Sequence, residues 1–482
     1  MENWAGMGFR RSLINSASIF GGETVSRVAT FAIALIVARR FGPVELGQYA
    51  YGLALASVLL IVPDFGLHLL TTRELAINPE RLRQMFWSLH WIKILLAGGV
   101  ITFVFVFGEE AVKDGGRRLL LYVLVARSVL LTFSQAYMAI FKAFERMHYV
   151  ALQQAVNATL ALVCAVIALA LRMNLGVVVG SLVAGQAAET FIGWHILRKR
   201  FGTGTVYGWD SAFLRSTLLA AAPIGITAIL QAANLRVDVL TLSIFAPNAE
   251  VGRLQAASWF LVGTFLCASL LMSVIFPKLS RMLERPSTRG SGQIGSLLKH
   301  GTLFVAAGSL VIWLGAPHVL LWLYGGKLVN AAPLLRILAP AFPLMFINTV
   351  LVYVFIAARL RAVYLGTLGL SFGLGVILSL CFARWYGAAG VAVADLIREY
   401  VMAAVFLYHL KRRDVAHEAG DALLKICLGI AALTLVLFAL AGSPGPWMAW
   451  TAACNVFVLV GMLILTGLPS RHEMSLILSE DS

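Results

Sequence analysis

The chain has few charged residues and lacks the motifs of familiar catalytic and metal sites. Of its 482 residues only 13% are charged, against about a quarter in a typical soluble domain. No CxxC or HExxH spacing occurs, the nine histidines are scattered, and no glycine-rich phosphate loop follows a strand pattern. The five cysteines fall in apolar runs, which favours packed thiols over disulfides. We therefore expect no enzyme, no metal site and no cofactor.

Long apolar runs dominate what is present. Hydrophobic residues make up 60% of the chain, and the mean hydropathy is +0.86. A run of about 20 apolar residues is long enough to cross a bilayer as a helix. The sequence predicts an all-α polytopic membrane protein with about 14 transmembrane helices, at about 12–40, 44–70, 86–108, 118–141, 150–171, 174–197, 212–246, 250–277, 296–317, 331–357, 361–383, 387–410, 420–441 and 446–468.

The net charge of +15 reflects membrane topology more than nucleic-acid binding. The basic residues are spread over short loops between the apolar runs instead of forming one patch. With the N-terminus in the cytoplasm, the cytoplasmic segments hold 23 Lys and Arg residues and the opposite side holds 10. Because the number of spans is even, we expect both termini to be cytoplasmic in a multi-pass protein of the cell (inner) membrane. We expect no nucleic-acid partner.

The chain contains an internal repeat. The stretch FGPVELG at 41–47 matches FAPNAEVG at 245–252, offset by 204 up to the proline and by 205 after one inserted residue, and Glu189 and Glu399 correspond at an offset of 210. Because the repeat unit holds six spans, its copies have the same orientation. We predict two six-helix lobes and an appended pair of spans, with boundaries at 1–200, 201–415 and 416–482.

Two ionisable residues lie in the middle of the first apolar run, where charges are costly. Glu23 and Arg27 are four residues apart, the spacing of a helical ion pair. One interpretation is a self-neutralised pair that allows the helix to insert. The other is a water-facing site in which Arg27 meets an anionic ligand.

The seventh apolar run carries a polar stripe at the repeat-related positions. Gln231, Asn234 and Asp238 share one helical face and are expected to line a water-filled cavity opposite the face of the first run that carries Glu23 and Arg27. Arg236 lies about 160° from Asp238 on an ideal helix. It shares that face only if the helix is broken nearby.

Charged residues also occur in the second and fourth apolar runs. Asp64 follows Pro63 and precedes Gly66, which favours either a gating or proton-sensitive residue or a structural turn. Arg127 has no acidic neighbour in sequence, so its partner is either on another helix or a ligand.

Two further sets of charges are expected to be structural. Lys93 lies near a cytoplasmic helix end, from which its side chain can snorkel to the interface. Asp395, Arg398 and Glu399 have the spacing to neutralise one another along one helix.

Two stretches resemble a known family. Residues 38–76, ARRFGPVELGQYAYGLALASVLLIVPDFGLHLLTTRELA, and residues 386–399, YGAAGVAVADLIRE, resemble the polysaccharide biosynthesis flippases, the Wzx-like branch of the multidrug/oligosaccharidyl-lipid/polysaccharide exporter superfamily. The resemblance covers the first twelve spans. It implies two lobes around a central cavity lined by helices 1, 2, 7 and 8, whose rocking gives alternating access. It also implies a polyprenyl-diphosphate-linked oligosaccharide as substrate, moved from the cytoplasmic to the external leaflet for surface polysaccharide biosynthesis.

This substrate gives the buried charges a role, because guanidinium groups bind phosphates with two parallel hydrogen bonds. The expected substrate-binding residues are Arg27, Arg127, Arg236, Gln231 and Asn234. The expected gating or ion-coupling residues are Glu23, Asp64 and Asp238. Membrane lipids are expected partners, and a polysaccharide polymerase or glycosyltransferases are candidate ones.

Three alternatives remain open. A cation-coupled small-molecule exporter of the same superfamily would need a compact acidic site in one lobe, and the acidic residues here are dispersed. A lipid II flippase fits fourteen spans, but the arginine cluster typical of that branch is not obvious in the sequence. A scaffold without transport activity would need no polar stripes.

Overall fold

The computed structural model describes residues 22, 25–26, 28–112, 114–203, 208, 210–284, 288–412 and 429. Glu23 and Arg27 lie outside these residues. So do the predicted spans 420–441 and 446–468, apart from residue 429. What was expected of them stays a prediction.

The described residues form helices joined by short turns. In chain order they are α1 (28–40), α2 (Pro43–Leu59), α3 (Ile61–Asp64), α4 (Leu67–Ile77), α5 (Leu82–Ala111), α6 (Gly115–Ala143), α7 (Met147–Ala170), α8 (Leu175–Arg200), α9 (Ser211–Asn234), α10 (Val237–Phe245), α11 (Asn248–Glu284), α12 (Thr288–Tyr324), α13 (Ala332–Leu338), α14 (Ala341–Ala357) and α15 (Arg361–Arg412). In this part of the chain nine helical stretches are long and apolar enough to cross a membrane, and ten if the bent pair Gly326–Leu338 and Ala341–Ala357 is one span. The polytopic all-α class is therefore confirmed.

Helix α15 accounts for part of the difference from fourteen spans. Its 52 residues contain Gly387 with non-helical angles, φ 56° and ψ −138°. A straight helix of that length would extend roughly 78 Å, more than twice the roughly 30 Å of a hydrocarbon core. The break lies where the sequence separates 361–383 from 387–410. Two spans are thus joined here, and the total of fourteen stays a prediction.

Contacts divide the chain into two units. The N-terminal unit comprises Met1–Ser243 and Pro247–Gly252, and the C-terminal unit comprises Ile244–Ala246 and Arg253–Ser482. Helix α9 and all but the last two residues of α10, which together form the seventh predicted span, therefore belong to the N-terminal unit. The lobes predicted at 1–200 and 201–415 follow the sequence repeat and remain a prediction.

Each unit has its own apolar core. In the N-terminal unit Leu67, Phe86 and Phe141 are among the side chains that pack between α4, α5 and α6. In the C-terminal unit Phe355 and Phe406 are among those that join α14 to α15, with their rings 5.3 Å apart. These cores fix the helices that carry the polar residues described below.

The two turns of the sequence repeat contact each other within the N-terminal unit. A Cβ added to Gly47 would overlap the carbonyl oxygen of Asn248, and one added to Gly252 would overlap the carbonyl oxygen of Pro43. The contact is reciprocal, as when equivalent segments meet about a two-fold axis. Only glycine at positions 47 and 252 allows the backbones of α2 and the first turn of α11 to approach this closely.

Hydrogen bonds between polar side chains, centred on Asp114, join the same region. Asp114 caps α6 and accepts hydrogen bonds on Oδ1 from the amides of Gly116 and Arg117, at 2.8 and 3.2 Å. Its Oδ2 accepts from Asn248 Nδ2 at 2.7 Å and from Gln48 Nε2 at 3.5 Å. Arg117 donates through Nε to Asn248 Oδ1. Desolvation raises the pKa of Asp114, but these hydrogen bonds outweigh it, and the pKa lies below its ordinary value.

The second span is broken at Asp64. Phe65 and Gly66 both have left-handed backbones, with φ 37° and 73°, and they separate α3 from α4. A Cβ on Gly66 would lie 2.8 Å from the amide nitrogen of Gly225 in α9. Because Gly66 and Gly225 have no Cβ, α9 can pack closely against the second span at the break between α3 and α4.

The seventh span is also broken. Helix α9 ends at Asn234 and α10 begins at Val237, so the span predicted over 212–246 consists of two helices. The shared helical face of Asn234 and Asp238 no longer follows from their spacing. Arg236 was expected to share the face of Asp238 only if the helix is broken nearby. The turn at Leu235 and Arg236 is such a break.

Candidate functional site

A cavity of about 330 Å³ lies within the N-terminal unit, between α4, α6, α7 and α8. Among the described residues, the titratable side chains that line it are His68 from α4, Arg127 and Lys142 from α6, and Glu189 from α8. With the imidazole neutral, these side chains carry one net positive charge. The cavity is therefore suited to a polar ligand with negative charge.

Arg127 has unused hydrogen-bonding capacity in this cavity. Its Nε is buried and has no hydrogen-bond partner among the described residues, and the same holds for Gln154 Oε1 on α7. A buried donor or acceptor left unpaired costs about 1–3 kcal/mol. Such groups in native proteins usually indicate a water or a ligand that completes the site.

Glu189 is held in place by amides. Asn157 Nδ2 on α7 donates to Glu189 Oε2 at 2.5 Å, and Gln186 Nε2 donates to the same oxygen at 2.7 Å. Glu399 in the C-terminal unit likewise accepts from Asn348 Nδ2 at 2.8 Å. The two glutamates that correspond in the repeat therefore share the same kind of partner.

Arg127 has a second set of neighbours outside the cavity wall. The buried hydroxyl of Tyr49 on α2, which has no hydrogen-bond partner in the described part of the chain, lies within electrostatic range of Arg127 and Arg236. The two guanidinium groups also act on each other as like charges, and at Arg236 the attraction of Asp238 is larger than the repulsion by Arg127. The broken seventh span thus brings Arg127, Arg236 and Asp238 together, and an anion placed between the arginines would relieve their repulsion.

The third group of charges lies at the break of the second span. Asp64 Oδ1 accepts from Lys93 Nζ at 3.1 Å, and His68 Nδ1 lies 2.6 Å from Asp64 Oδ2. Lys93 is fully buried and also donates to the carbonyl oxygen of Pro63 at 3.4 Å. The prediction that Lys93 snorkels to the interface is wrong, because Asp64 neutralises it inside the fold.

The remaining predicted residues lie elsewhere. Gln231 and Asn234 occupy the last turns of α9 and are not among the residues that line the cavity. In the C-terminal unit Arg398 Nη2 lies 3.1 Å from Asp395 Oδ1 and 3.8 Å from Glu399 Oε1, so the predicted structural network is confirmed.

Sequence reasoning gave no site role to Tyr49, His68, Lys142 or Glu189. Lys142 lies at the end of α6, one residue beyond the predicted span 118–141. Glu189 offered a signal, since it is a carboxylate inside an apolar run. Tyr49 offered none, because a tyrosine in a membrane helix needs no special explanation. Among the described residues no group of three His, Cys, Asp or Glu side chains could hold a metal ion.

Comparison with known proteins places this fold. The model of a family described as polysaccharide biosynthesis protein matches residues 12–283, more than half of the chain. No curated protein matches significantly. Among solved structures the chain is similar to the lipid II flippase MurJ in an inward closed conformation, with a TM-score of 0.70, 15% identity, and coverage of 92% of this chain and 97% of that one.

Two transporters give further structural matches. An inward-facing multidrug resistance MATE family transporter of the MOP superfamily matches with a TM-score of 0.63, 14% identity, and coverage of 83% of this chain and 95% of that one. The Vibrio cholerae MATE transporter VcmN in its bent form matches with a TM-score of 0.54, 13% identity, and coverage of 84% and 98%. At these identities the likeness shows the fold alone.

Proposed function

Because the chain belongs to the polysaccharide biosynthesis protein family, we propose that it is a flippase for a polyprenyl-diphosphate-linked oligosaccharide. It carries this lipid from the cytoplasmic to the external leaflet by alternating access, for surface polysaccharide biosynthesis. The observation that carries the proposal is Arg127, whose buried Nε has no hydrogen-bond partner among the described residues and borders a positively charged cavity.

The diphosphate is the part of this substrate that needs such a site. Moving it through hydrocarbon requires fixed cationic donors, and guanidinium groups keep their charge when buried. Arg127 and Arg236 provide two of them, and the Tyr49 hydroxyl is a third donor within their range. The cavity volume lies near the lower end of the range for small-molecule sites, about 300–1,000 Å³. It suits a diphosphate with part of a sugar, while the polyprenyl chain stays in the lipid.

The remaining site assignments rest on the sequence and are part of the same proposal. Arg27, Gln231 and Asn234 are further contacts to the polar headgroup. Glu23, Asp64 and Asp238 act in gating or ion coupling. A polysaccharide polymerase or glycosyltransferases would supply or consume the substrate at the membrane.

We also propose that both termini are cytoplasmic in the cell (inner) membrane. The support is the excess of basic residues, 23 against 10, on the side assigned to the cytoplasm. Reporter fusions at residues 109–117 and 412–418 should report opposite sides of the membrane. The same side for both would overturn this topology.

A lipid II flippase is the second candidate, because the structural match to MurJ extends over 92% of this chain. Lipid II carries the same diphosphate, so the arginines serve both candidates. The two candidate functions differ in the headgroup that is transported. A strain in which MurJ is depleted would survive on this chain only if lipid II is a substrate.

The experiment uses inorganic pyrophosphate as a soluble probe of the diphosphate site, with the full chain in lipid nanodiscs. Hydrogen bonds to charged groups contribute about 1.5–3 kcal/mol, so Arg127→Gln should weaken binding by roughly 10- to 150-fold. Arg127→Lys should recover part of the affinity, since it keeps the charge but loses the bidentate geometry. The matched control is Arg215→Gln on the exposed side of α9, which should leave binding unchanged. Unchanged binding by a folded Arg127→Gln protein would remove Arg127 from the site.

A further inference from the structure

His68 joins the charged pair at the broken second span to the cavity. Its imidazole is 30% exposed and forms part of the cavity wall. On its other side, Nδ1 lies 2.6 Å from Asp64 Oδ2. Asp64 is in turn bonded through Oδ1 to the fully buried Lys93. The imidazole is therefore the only member of this trio that lines the cavity.

The hydrogen bonds fix which nitrogen of His68 carries the proton in the neutral ring. Asp64 is ionised beside the ammonium group of Lys93, so both of its oxygens are acceptors. His68 Nδ1 must then be the donor, which leaves the lone pair on Nε2. Among the described residues the His68 side chain hydrogen-bonds to Asp64, through Nδ1. Nε2 has no hydrogen-bond partner among them.

The charged groups around His68 lie on several neighbouring helices. Asp64 and Lys93 lie behind the ring, and His90 on α5 is engaged by the carbonyl oxygen of Phe86 and by Tyr137. Arg215 on α9 does not line the cavity. The charged groups of the described chain that share the cavity with the ring are Arg127, Lys142 and Glu189. A proton on Nε2 would raise the net charge of this set, the imidazole included, from one to two.

We propose that His68 is a proton-binding site of the cavity and that an anionic diphosphate binds together with a proton. Nε2 takes the proton from a hydronium ion of the solvent, so that one N–H bond forms, one O–H bond of hydronium breaks and a water molecule is released. The resulting Nε2–H then donates to a phosphate oxygen. The anionic ligand rests on the proposed function, but the proton site is a separate assignment. By linkage, a proton that favours the anion is itself held more tightly when the anion is bound.

The test measures pyrophosphate affinity by calorimetry between pH 5.5 and 8.5, the range in which histidine changes charge. The wild type, His68→Gln and His148→Gln are compared in nanodiscs. Gln can still donate to Asp64 but does not titrate, and His148 is exposed and outside the cavity. The ratio of the Kd of each variant to that of the wild type cancels the protonation of pyrophosphate itself.

We expect the ratio for His68→Gln to be about 5- to 150-fold at pH 5.5, the usual size of a coupling between two ligands, and to approach one at pH 8.5. The ratio for His148→Gln should stay near one throughout. A second variant, His68→Lys, carries a permanent charge. Its ratio should be near one at pH 5.5 and fall below one at pH 8.5.

A ratio for His68→Gln that does not change with pH would overturn the proton site. If binding still depends on Arg127, the proposed diphosphate site survives that result. Absence of pyrophosphate binding by the wild type would overturn both. Size-exclusion profiles equal to the wild type establish that each variant is folded.

Discussion

The pair of Lys93 and Asp64 gives a quantitative prediction. Lys93 is fully buried, Asp64 is 7% exposed, and their charged atoms are 3.1 Å apart. Replacing Lys93 with Met keeps the length of the side chain and removes its charge. The direct attraction at this distance is about 5 kcal/mol at an effective dielectric constant of 20. Measured losses on breaking such a buried pair are about 3–5 kcal/mol, and we expect Lys93→Met to lose that much.

The double variant separates this pair from a general effect of changing the core. Asp64→Asn alone leaves the Lys93 ammonium group buried without a counter-charge and should be as costly as Lys93→Met. Changing both residues removes both charges, so the loss should be well below the sum of the single losses. Lys199→Met at an exposed helix end is the matched control and should have little effect.

The assay is equilibrium unfolding in mixed micelles, with the denaturing detergent as the variable. Membrane levels of each variant are measured in parallel. Additive losses in the double variant would refute the reasoning, because they would mean that Lys93 and Asp64 contribute independently. A loss below about 1 kcal/mol for Lys93→Met would show that the lysine is not buried as a charge.

Two further predictions concern the contact between α2 and the first turn of α11. Gly47→Ala should destabilise the protein by about 1–3 kcal/mol or more by overpacking against Asn248. Gly98→Ala should not, because a Cβ added at Gly98 meets open space. Equal unfolding free energies for the two variants would contradict the close approach of α2 and α11. Asp114 has a pKa below its ordinary 3.8 in the folded protein, so its contribution to stability is present above that pH and is lost as the pH falls through the lowered pKa. Asp114→Asn should remove this part of the acid dependence of unfolding. An unchanged pH profile would show that the hydrogen bonds of Asp114 contribute nothing to stability.

The sequence predicted the polytopic all-α class because its signal is local. Runs of apolar residues determine which segments become helices, and the repeated turns at 41–47 and 245–252 were recognisable by their proline and glycine. The reciprocal contact of Gly47 with Asn248 and of Gly252 with Pro43 could not be read from those turns. It depends on how distant segments pack.

The site was harder to predict because its partners are distant in sequence. Arg127 was recognised as a buried charge, but Glu189 and Lys142 share its cavity only through the packing of α6, α7 and α8. The break that places Arg236 near Arg127 contains neither glycine nor proline, so the usual signals of a helix end were absent. Lys93 was misassigned for the same reason, since its partner lies 29 residues earlier.

Transport in a purified system tests the central claim most directly. The full chain is reconstituted into liposomes containing a polyprenyl-diphosphate-linked oligosaccharide, and a glycosidase that cannot cross the membrane is added outside. The account predicts that the enzyme will cleave the internal pool over time in liposomes with the wild type, much more slowly with Arg127→Gln, and not in protein-free liposomes. Protection of the internal pool in wild-type liposomes equal to that in protein-free ones would contradict it.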